Sequence, residues 1–253
     1  MTLCDFFKRC PKVAVALSGG VDSAYLMNEA KACGADVRAY FVKTEFQPEF
    51  ELRDAHLAAK AAEVPLCVIS FSVLDDENTV KNGEDRCYYC KRAIMQIITA
   101  TAKSDGYDVI CDGTNASDDI SDRPGYRALG ELSVISPLRI CGISKAEVRK
   151  RAKAMGLSVW NKPSYACLAT RIPQNERITE DTLRKTENAE DYLRNLGFSD
   201  FRVRVSRGNA KVELCSKDRE LALLNMKKLE EELKKYYLTV LFDLEARNEK
   251  LFD

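Results

Sequence analysis

Histidine is almost missing from this chain: one residue, His56, in 253. It stands in a polar helical stretch and reads as a solvated surface residue, so catalysis by a histidine base gains no support. An excess of basic charge is missing too. Lys+Arg and Asp+Glu both number 39, for a formal net charge of +0. A protein that grips nucleic acid over a wide surface carries a basic footprint, so no nucleic-acid partner is expected. No window approaches a membrane-spanning apolar run. "MTLCDFFKRCPK" sets a cysteine and a charged pair where the apolar part of a secretory signal would stand. A cytoplasmic location with no membrane partner is the expectation. The GxxxxGKS/T phosphate loop and the GxGxxG fingerprint are both absent, as are internal repeats and low-complexity segments.

What is present suffices for one large domain and a small one, with 45% hydrophobic residues. Over the first two thirds, strand-like and helix-like runs alternate. "KVAVALS", "DVRAYFVKT", "PLCVISFS" and "YDVICDG" read as strands and "SVISPL" as strand-like. Between them, "DSAYLMNEAKACG", "EFELRDAHLAAKAAE", "CYYCKRAIMQIITATAKSDG" and "SKAEVRKRAKAMG" read as helices, the first amphipathic and ending at Gly34, the last capped by Ser144. This alternation predicts an α/β fold, a doubly wound parallel sheet with helices on both faces, over residues 1–173. From 174 to 253 the pattern changes to a helix, two strands around an "RGN" turn, a long helix over 219–236 and a last strand: a small α+β domain of its own.

In doubly wound sheets, ligands lie beyond the carboxyl ends of strands. After the first strand stand Ser18, Gly19, Gly20, Val21, Asp22 and Ser23. Glycines let backbone N–H groups approach an anion, and the following helix points its positive end at it. Ser18 and Ser23 can donate hydroxyl bonds. Asp22 would repel phosphate, so its sensible task there is to hold Mg²⁺; as a first-turn acidic residue it could also simply stabilise the helix. Thr44 ends the second strand. Gly113, Thr114 and Asn115 follow the fourth and suit phosphate or ribose, or form an ordinary turn.

Ten cysteines is many for a cytosolic chain. Seven of them (Cys4, Cys10, Cys33, Cys67, Cys111, Cys141 and Cys215) fall at no ligand-like spacing and read as small buried hydrophobes. Cys87 and Cys90 in "RCYYCK" differ: three apart at a helix start, they share a face, with Arg86 and Lys91 beside them. Cys167 lies in "KPSYACLATRIP", also among cations. A Cys-x-x-Cys pair alone leaves redox, half a zinc site or coincidence open, and no fourth ligand completes a closed zinc site.

The Ser-Gly-Gly-Val-Asp-Ser string resembles the PP-loop of the ATP pyrophosphatase superfamily, which splits ATP between its α and β phosphates. With "RCYYCK", "DGTN", "SPL" and "ACLATRIP" in this order, nearly the whole chain is similar to the LarE family of pyridinium-3,5-biscarboxylic acid mononucleotide sulfurtransferases. The resemblance implies MgATP, adenylation of a carboxylate of that small-molecule substrate with release of pyrophosphate, and transfer of sulfur in nickel-pincer nucleotide biosynthesis. Two versions follow from it. Either Cys167 surrenders its own sulfur, or Cys87, Cys90 and Cys167 hold a [4Fe–4S] cluster whose fourth iron carries sulfide. Three cysteines match the cluster version. The resemblance also implies substrate contacts at Glu190, Arg202 and Arg204, and a homo-oligomer. Arg202 and Arg204, two apart on a strand, face one way; a solvated sheet face, or for Glu190 a helix surface, explains them as well. A PP-loop tRNA thiolase and a nucleotide-binding sensor without chemistry are the competing readings.

Overall fold

A computed structural model of the chain describes residues 1–119 and 124–247. These form two compact units. One comprises Met1–Val73 and Glu84–Ser164; the other comprises Leu74–Gly83 and the chain from Tyr165 onward. The second unit thus begins at Tyr165, where the sequence reading begins it at 174, and it borrows a ten-residue excursion from the first. Residues 248–253 of the assignment 174–253 lie outside the described residues.

The first unit is α/β. Strands β1 (Lys12–Ala16), β2 (Asp36–Lys43), β3 (Leu66–Ser70) and β4 (Val109–Cys111) form a parallel sheet in the order β3-β2-β1-β4. Val13 lies in register with Val37 on one side and Val109 on the other. Val13, Ala14 and Val15 are all fully buried, which is why β1 shows no alternation of polar and apolar residues. Strands β1, β2 and β3 step one way and β4 lies on the opposite side of β1. The winding therefore reverses between β1 and β4, and a crevice opens at their carboxyl ends. The run "SVISPL" contributes a single parallel bridge, Cys111 to Ile135, instead of a strand, because Pro137 opens the short helix Pro137–Ile140 directly after it.

The helix Val21–Ala32 follows β1 and packs against Lys145–Ala154. Its residues Val21, Ala24, Tyr25, Leu26, Met27 and Ala30 are buried on most sides. It is a core helix, where the sequence suggested an amphipathic one. Gly34, in the left-handed region at φ +83°, ends it as expected. Ser144 caps the helix Lys145–Ala154, its Oγ accepting from Glu147 N at 3.3 Å. Of the seven cysteines read as small hydrophobes, Cys111 and Cys215 are fully buried and Cys10, Cys67 and Cys141 half-buried. Cys4 and Cys33 depart from that reading. They form a disulfide with Cα atoms 5.2 Å apart, because the helix Leu3–Arg9 packs on Val21–Ala32.

The second unit pairs β5 (Phe201–Ser206) antiparallel with β6 (Asn209–Leu214), and β6 parallel with β7 (Val240–Phe242). Arg207 at φ +49° and Gly208 at φ +78° make the hairpin turn, the double left-handed step whose twist suits paired strands. The helix Glu180–Asn195 packs on β5 with Ala189 and Leu193 buried. The long helix expected over 219–236 is two, Arg219–Leu224 and Met226–Leu233. Asn225 divides them: its side-chain amide donates to Leu221 O at 2.9 Å and competes with the helical ladder. Among the described residues, no helix is long and apolar enough to cross a membrane.

Because Leu26 is fully enclosed, Leu26→Ala is expected to cost about 2–5 kcal/mol of stability. Urea denaturation followed by circular dichroism measures the loss.

Candidate functional site

The loop after β1 lies at the reversal of the sheet and is built to stay open. Gly19 sits at φ +75°, and a Cβ there would lie 2.6 Å from the carbonyl oxygen of Glu51. Ser23 Oγ accepts from Ser18 N at 3.1 Å, lies 3.1 Å from Ser18 Oγ and donates to Gly20 O at 3.3 Å. These bonds curl the chain into a tight turn. Gly20 caps the following helix with no side-chain bond, so the N–H groups of Val21, Asp22 and Ser23 have no intrahelical partner and form an anion-seeking helix end.

The loop after β4 closes against this turn. A Cβ on Gly113 would lie 2.8 Å from Ser23 N and 3.1 Å from Ser23 Cα. Thr114 is folded over Asp112: its hydroxyl donates to Asp112 Oδ2 at 2.6 Å, and Ser136 Oγ donates to Oδ1 at 2.6 Å. Asn115 is held by Asp118, which accepts from its N–H at 3.0 Å, and its side-chain amide reaches Asp22 Oδ1 at 3.4 Å. Residues widely separated in sequence, Ser18–Ser23 and Gly113–Asn115, thus share one crevice. Thr44, at the end of β2, is buried; its hydroxyl donates to Gln47 Oε1 at 2.6 Å and accepts from Phe46 N. It shapes the turn beside the crevice.

Two lysines join the loop that sequence reasoning did not assign to it. Lys145 donates to Asp22 Oδ2. Lys162 donates to Gly19 O at 2.9 Å and pairs with Asp54. Lys145 stands directly after the Ser144 cap in the segment following "SPL", and that position was the only signal for it. Cys87 and Cys90 also belong to this unit, near the start of the helix Arg86–Ser104. Cys87 is exposed, with Arg86 Nη2 3.4 Å from its sulfur, and Cys90 is half-buried.

Cys167 belongs to the second unit. It is half-buried at the start of the 3-10 turn Leu168–Arg171. Its carbonyl accepts from Thr170 Oγ1 at 2.8 Å, while Arg171 donates to Ala166 O at 3.1 Å. The turn is anchored by a buried pair. Arg171 Nε and Nη2 donate to Glu190 Oε1 and Oε2 at 2.6 and 3.1 Å, and both side chains are 1% exposed. Tyr165 OH and Val203 N complete the carboxylate's partners at 2.7 and 3.0 Å. Burial would raise the Glu190 carboxyl, but the bonds from Arg171, Tyr165 and Val203 outweigh it and hold the carboxyl below its usual range. Glu190 is therefore fully engaged inside the unit. Arg202 is buried over the Tyr165 ring and bonded to Phe201 O and Asp200; burial, with Arg171 nearby, draws its pKa down to about 10. Arg204, two residues on, is exposed and bonded to Thr170 O at 2.7 Å and Glu213 at 2.9 Å.

Three outcomes are expected. Gly113→Ala overpacks the crevice and costs about 1–3 kcal/mol, while Gly83→Ala, with open space around its new methyl, costs clearly less in the same urea titration. Arg171→Met strands the buried carboxylate and costs about 3–5 kcal/mol. With its folded pKa depressed, Glu190 contributes stability in full above its unfolded pKa, about 4.3, and loses it as pH falls through the folded value. The stability difference between the native chain and Glu190→Gln therefore shrinks only below about pH 4.3, as read from denaturation midpoints across pH.

No family model matches the chain. Curated relatives do. An uncharacterized protein of Synechocystis sp. is 36% identical over 214 residues, which is 84% of this chain and 80% of that protein. The pyridinium-3,5-bisthiocarboxylic acid mononucleotide synthase of Lactiplantibacillus plantarum is 31% identical over 215 residues, 84% of this chain and 78% of that protein. The tRNA-specific 2-thiouridylase MnmA of Pseudothermotoga lettingae is 30% identical over 190 residues, 60% of this chain and 54% of that protein. With a PP-loop string on a glycine-built turn at the switch point of a parallel sheet, and identity extending over most of both chains, the protein belongs to the LarE family of the PP-loop ATP pyrophosphatase superfamily.

Proposed function

We propose that the protein is an ATP-dependent sulfurtransferase acting on pyridinium-3,5-biscarboxylic acid mononucleotide. The observation that carries this reading is the Ser18–Ser23 turn at the β1/β4 crevice in a chain of this family. In the first step a substrate carboxylate oxygen attacks the α-phosphorus of ATP. The bond to the β-phosphate oxygen breaks and pyrophosphate leaves. In the second, a sulfur nucleophile attacks the acyl carbon, AMP leaves and a thiocarboxylate remains.

The chain's own groups suit these tasks. Backbone N–H groups of Val21–Ser23 and the hydroxyls of Ser18 and Ser23 take phosphate oxygens. Asp22 is the residue to hold Mg²⁺, which neutralises phosphate charge when bound. Gly113, Thr114 and Asn115 border the nucleotide, and Thr44 shapes the adjoining turn. Arg202 and Arg204 offer guanidinium groups to an anionic substrate. Glu190 and Arg171 keep the Cys167 turn in place.

Cys87, Cys90 and Cys167 are three thiols, none of them in a disulfide, and three thiolates are the donor set of an iron–sulfur cluster with one open iron. A [4Fe–4S] cluster held by them would supply a site for exogenous sulfide. Cys87 and Cys90 stand near the start of the helix Arg86–Ser104, and Cys167 caps a 3-10 turn in the other unit. Direct surrender of the Cys167 sulfur is the second reading: the sulfur attacks the acyl carbon as AMP leaves, and loss of the Cα proton then breaks the Cβ–S bond, leaving the thiocarboxylate and a dehydroalanine.

Pyrophosphate release is expected to require both MgATP and the dicarboxylate, and Asp22→Asn is expected to slow it about a hundredfold. Release that ignores the dicarboxylate, or that tRNA with sulfide supports in its place, defeats the assignment. Cys167→Ala is expected to keep pyrophosphate release and lose the thiocarboxylate. Intact mass after one turnover then separates the two sulfur sources: unchanged for a cluster, lighter by one hydrogen sulfide for sacrifice of Cys167.

A further inference from the structure

The geometry points to a redox-gated site for a thiophilic divalent cation at Cys4, Cys33 and Glu29, open when the two cysteines are thiols and closed when they form their disulfide. The inference is independent of the sulfur-transfer reading, since none of the three residues belongs to the crevice or to the Cys87, Cys90 and Cys167 set.

The Sγ atoms of Cys4 and Cys33 and a carboxylate oxygen of Glu29 all lie within 4.8 Å of one another, and all three residues are half-buried. Cys4 comes from the helix Leu3–Arg9. Glu29 and Cys33 stand one turn apart at the end of Val21–Ala32, where Cys33 N donates to Glu29 O at 2.9 Å. A tetrahedral ion with donors at about 2.0–2.3 Å fits such a triangle once the sulfurs are no longer bonded to each other, with the fourth position left for water. Two thiolates and one carboxylate select Zn²⁺ over Mg²⁺ or Ca²⁺. The carboxyl end of a twelve-residue helix favours a cation at this place.

A second observation points the same way. Tyr25, one turn before Glu29, is fully buried, with its hydroxyl close to Glu29 and Arg151. A buried hydroxyl beside a ligating carboxylate is the kind of outer partner that orients such a ligand.

The chemistry balances. A dithiol such as dithiothreitol reduces the disulfide by two electrons, giving two protein thiols and its own cyclic disulfide. Binding of M²⁺ then displaces two protons from those thiols. Diamide reverses the first step, taking up two electrons and two protons to form its hydrazine as the disulfide closes, and the site loses both sulfur ligands.

The test uses the full chain, reduced with dithiothreitol, freed of it under argon and titrated with Co²⁺. The expected result is a thiolate-to-cobalt charge-transfer band of which one ion per chain disappears in Cys4→Ser and in Cys33→Ser. Glu29→Gln is expected to weaken that ion at least about tenfold, and diamide to abolish its binding. A band of the same intensity and stoichiometry in the native and Cys4→Ser chains overturns the proposal, because other cysteines then account for it. Since the serine variants also lose the cross-link, a second readout keeps the native sequence. In the reduced chain, Zn²⁺ is expected to slow alkylation of Cys4 and Cys33 by iodoacetamide about tenfold or more, read by peptide mass. Equal rates with and without Zn²⁺ overturn the site.

Discussion

The first unit depends on one close approach: Gly113, leaving β4, lies against the backbone of Ser23 in the first turn of the helix that follows β1. Any side chain at 113 would occupy the space of that turn. The constraint arises from the order β3-β2-β1-β4, which makes β1 and β4 neighbours while sending their following segments to opposite sides. Two loops far apart in the chain must therefore meet at one crevice, and each needs glycine where it meets a backbone. Gly19 meets the Glu51 carbonyl in the same way. The Ser18–Ser23 turn is held at the same place by the mutual bonds of its two serines.

The second unit solves a different problem. Its 3-10 turn at Cys167 has only four helical residues, too few bonds to hold a side chain still. The Arg171–Glu190 pair supplies the missing rigidity from outside the turn. Glu190 sits on the long helix, accepts from Val203 on β5 and from Tyr165, and so joins helix, strand and turn at one carboxylate. A buried pair of this kind contributes little net stability against an apolar core. Its effect is geometric, since every lone pair and donor has one place to go.

Much of this was legible in the sequence wherever the signal is local. The β1 run, the PP-loop string, the Ser144 cap and the Gly34 stop each depend on a few adjacent residues. The crevice was legible through the rule that places ligands at strand ends. What depends on distant partners was not. Cys4 and Cys33 look like separate apolar residues until two helices pack. Glu190 looks like a surface charge on a helix, and only the Cys167 turn, folding back, buries it. Lys145 carries no mark of its tie to Asp22, which spans 123 positions. Asn225 is an intermediate case. Its capacity to break a helix is local, but the run of Leu, Lys and Glu around it reads as continuous.

The two units also treat charge in opposite ways, and the difference follows from burial. In the crevice, each cation is already matched. Lys145 pairs with Asp22, and Lys162 with Asp54, with side-chain exposures of 25% and 21%, and 18% and 29%. At such exposure an ion pair contributes only about 0–1 kcal/mol, so either lysine can change partner at small cost, and so can either carboxylate. The field that remains when the side chains cancel is that of the backbone N–H groups, which cannot be neutralised by rearrangement. An arriving polyanion thus meets a fixed attraction and a set of exchangeable counter-charges. Arg171 and Glu190, 1% exposed, have no such freedom; separating them costs about 3–5 kcal/mol. A pair that stiff is suited to hold a turn, whereas the half-buried pairs beside the Ser18–Ser23 loop can exchange partners.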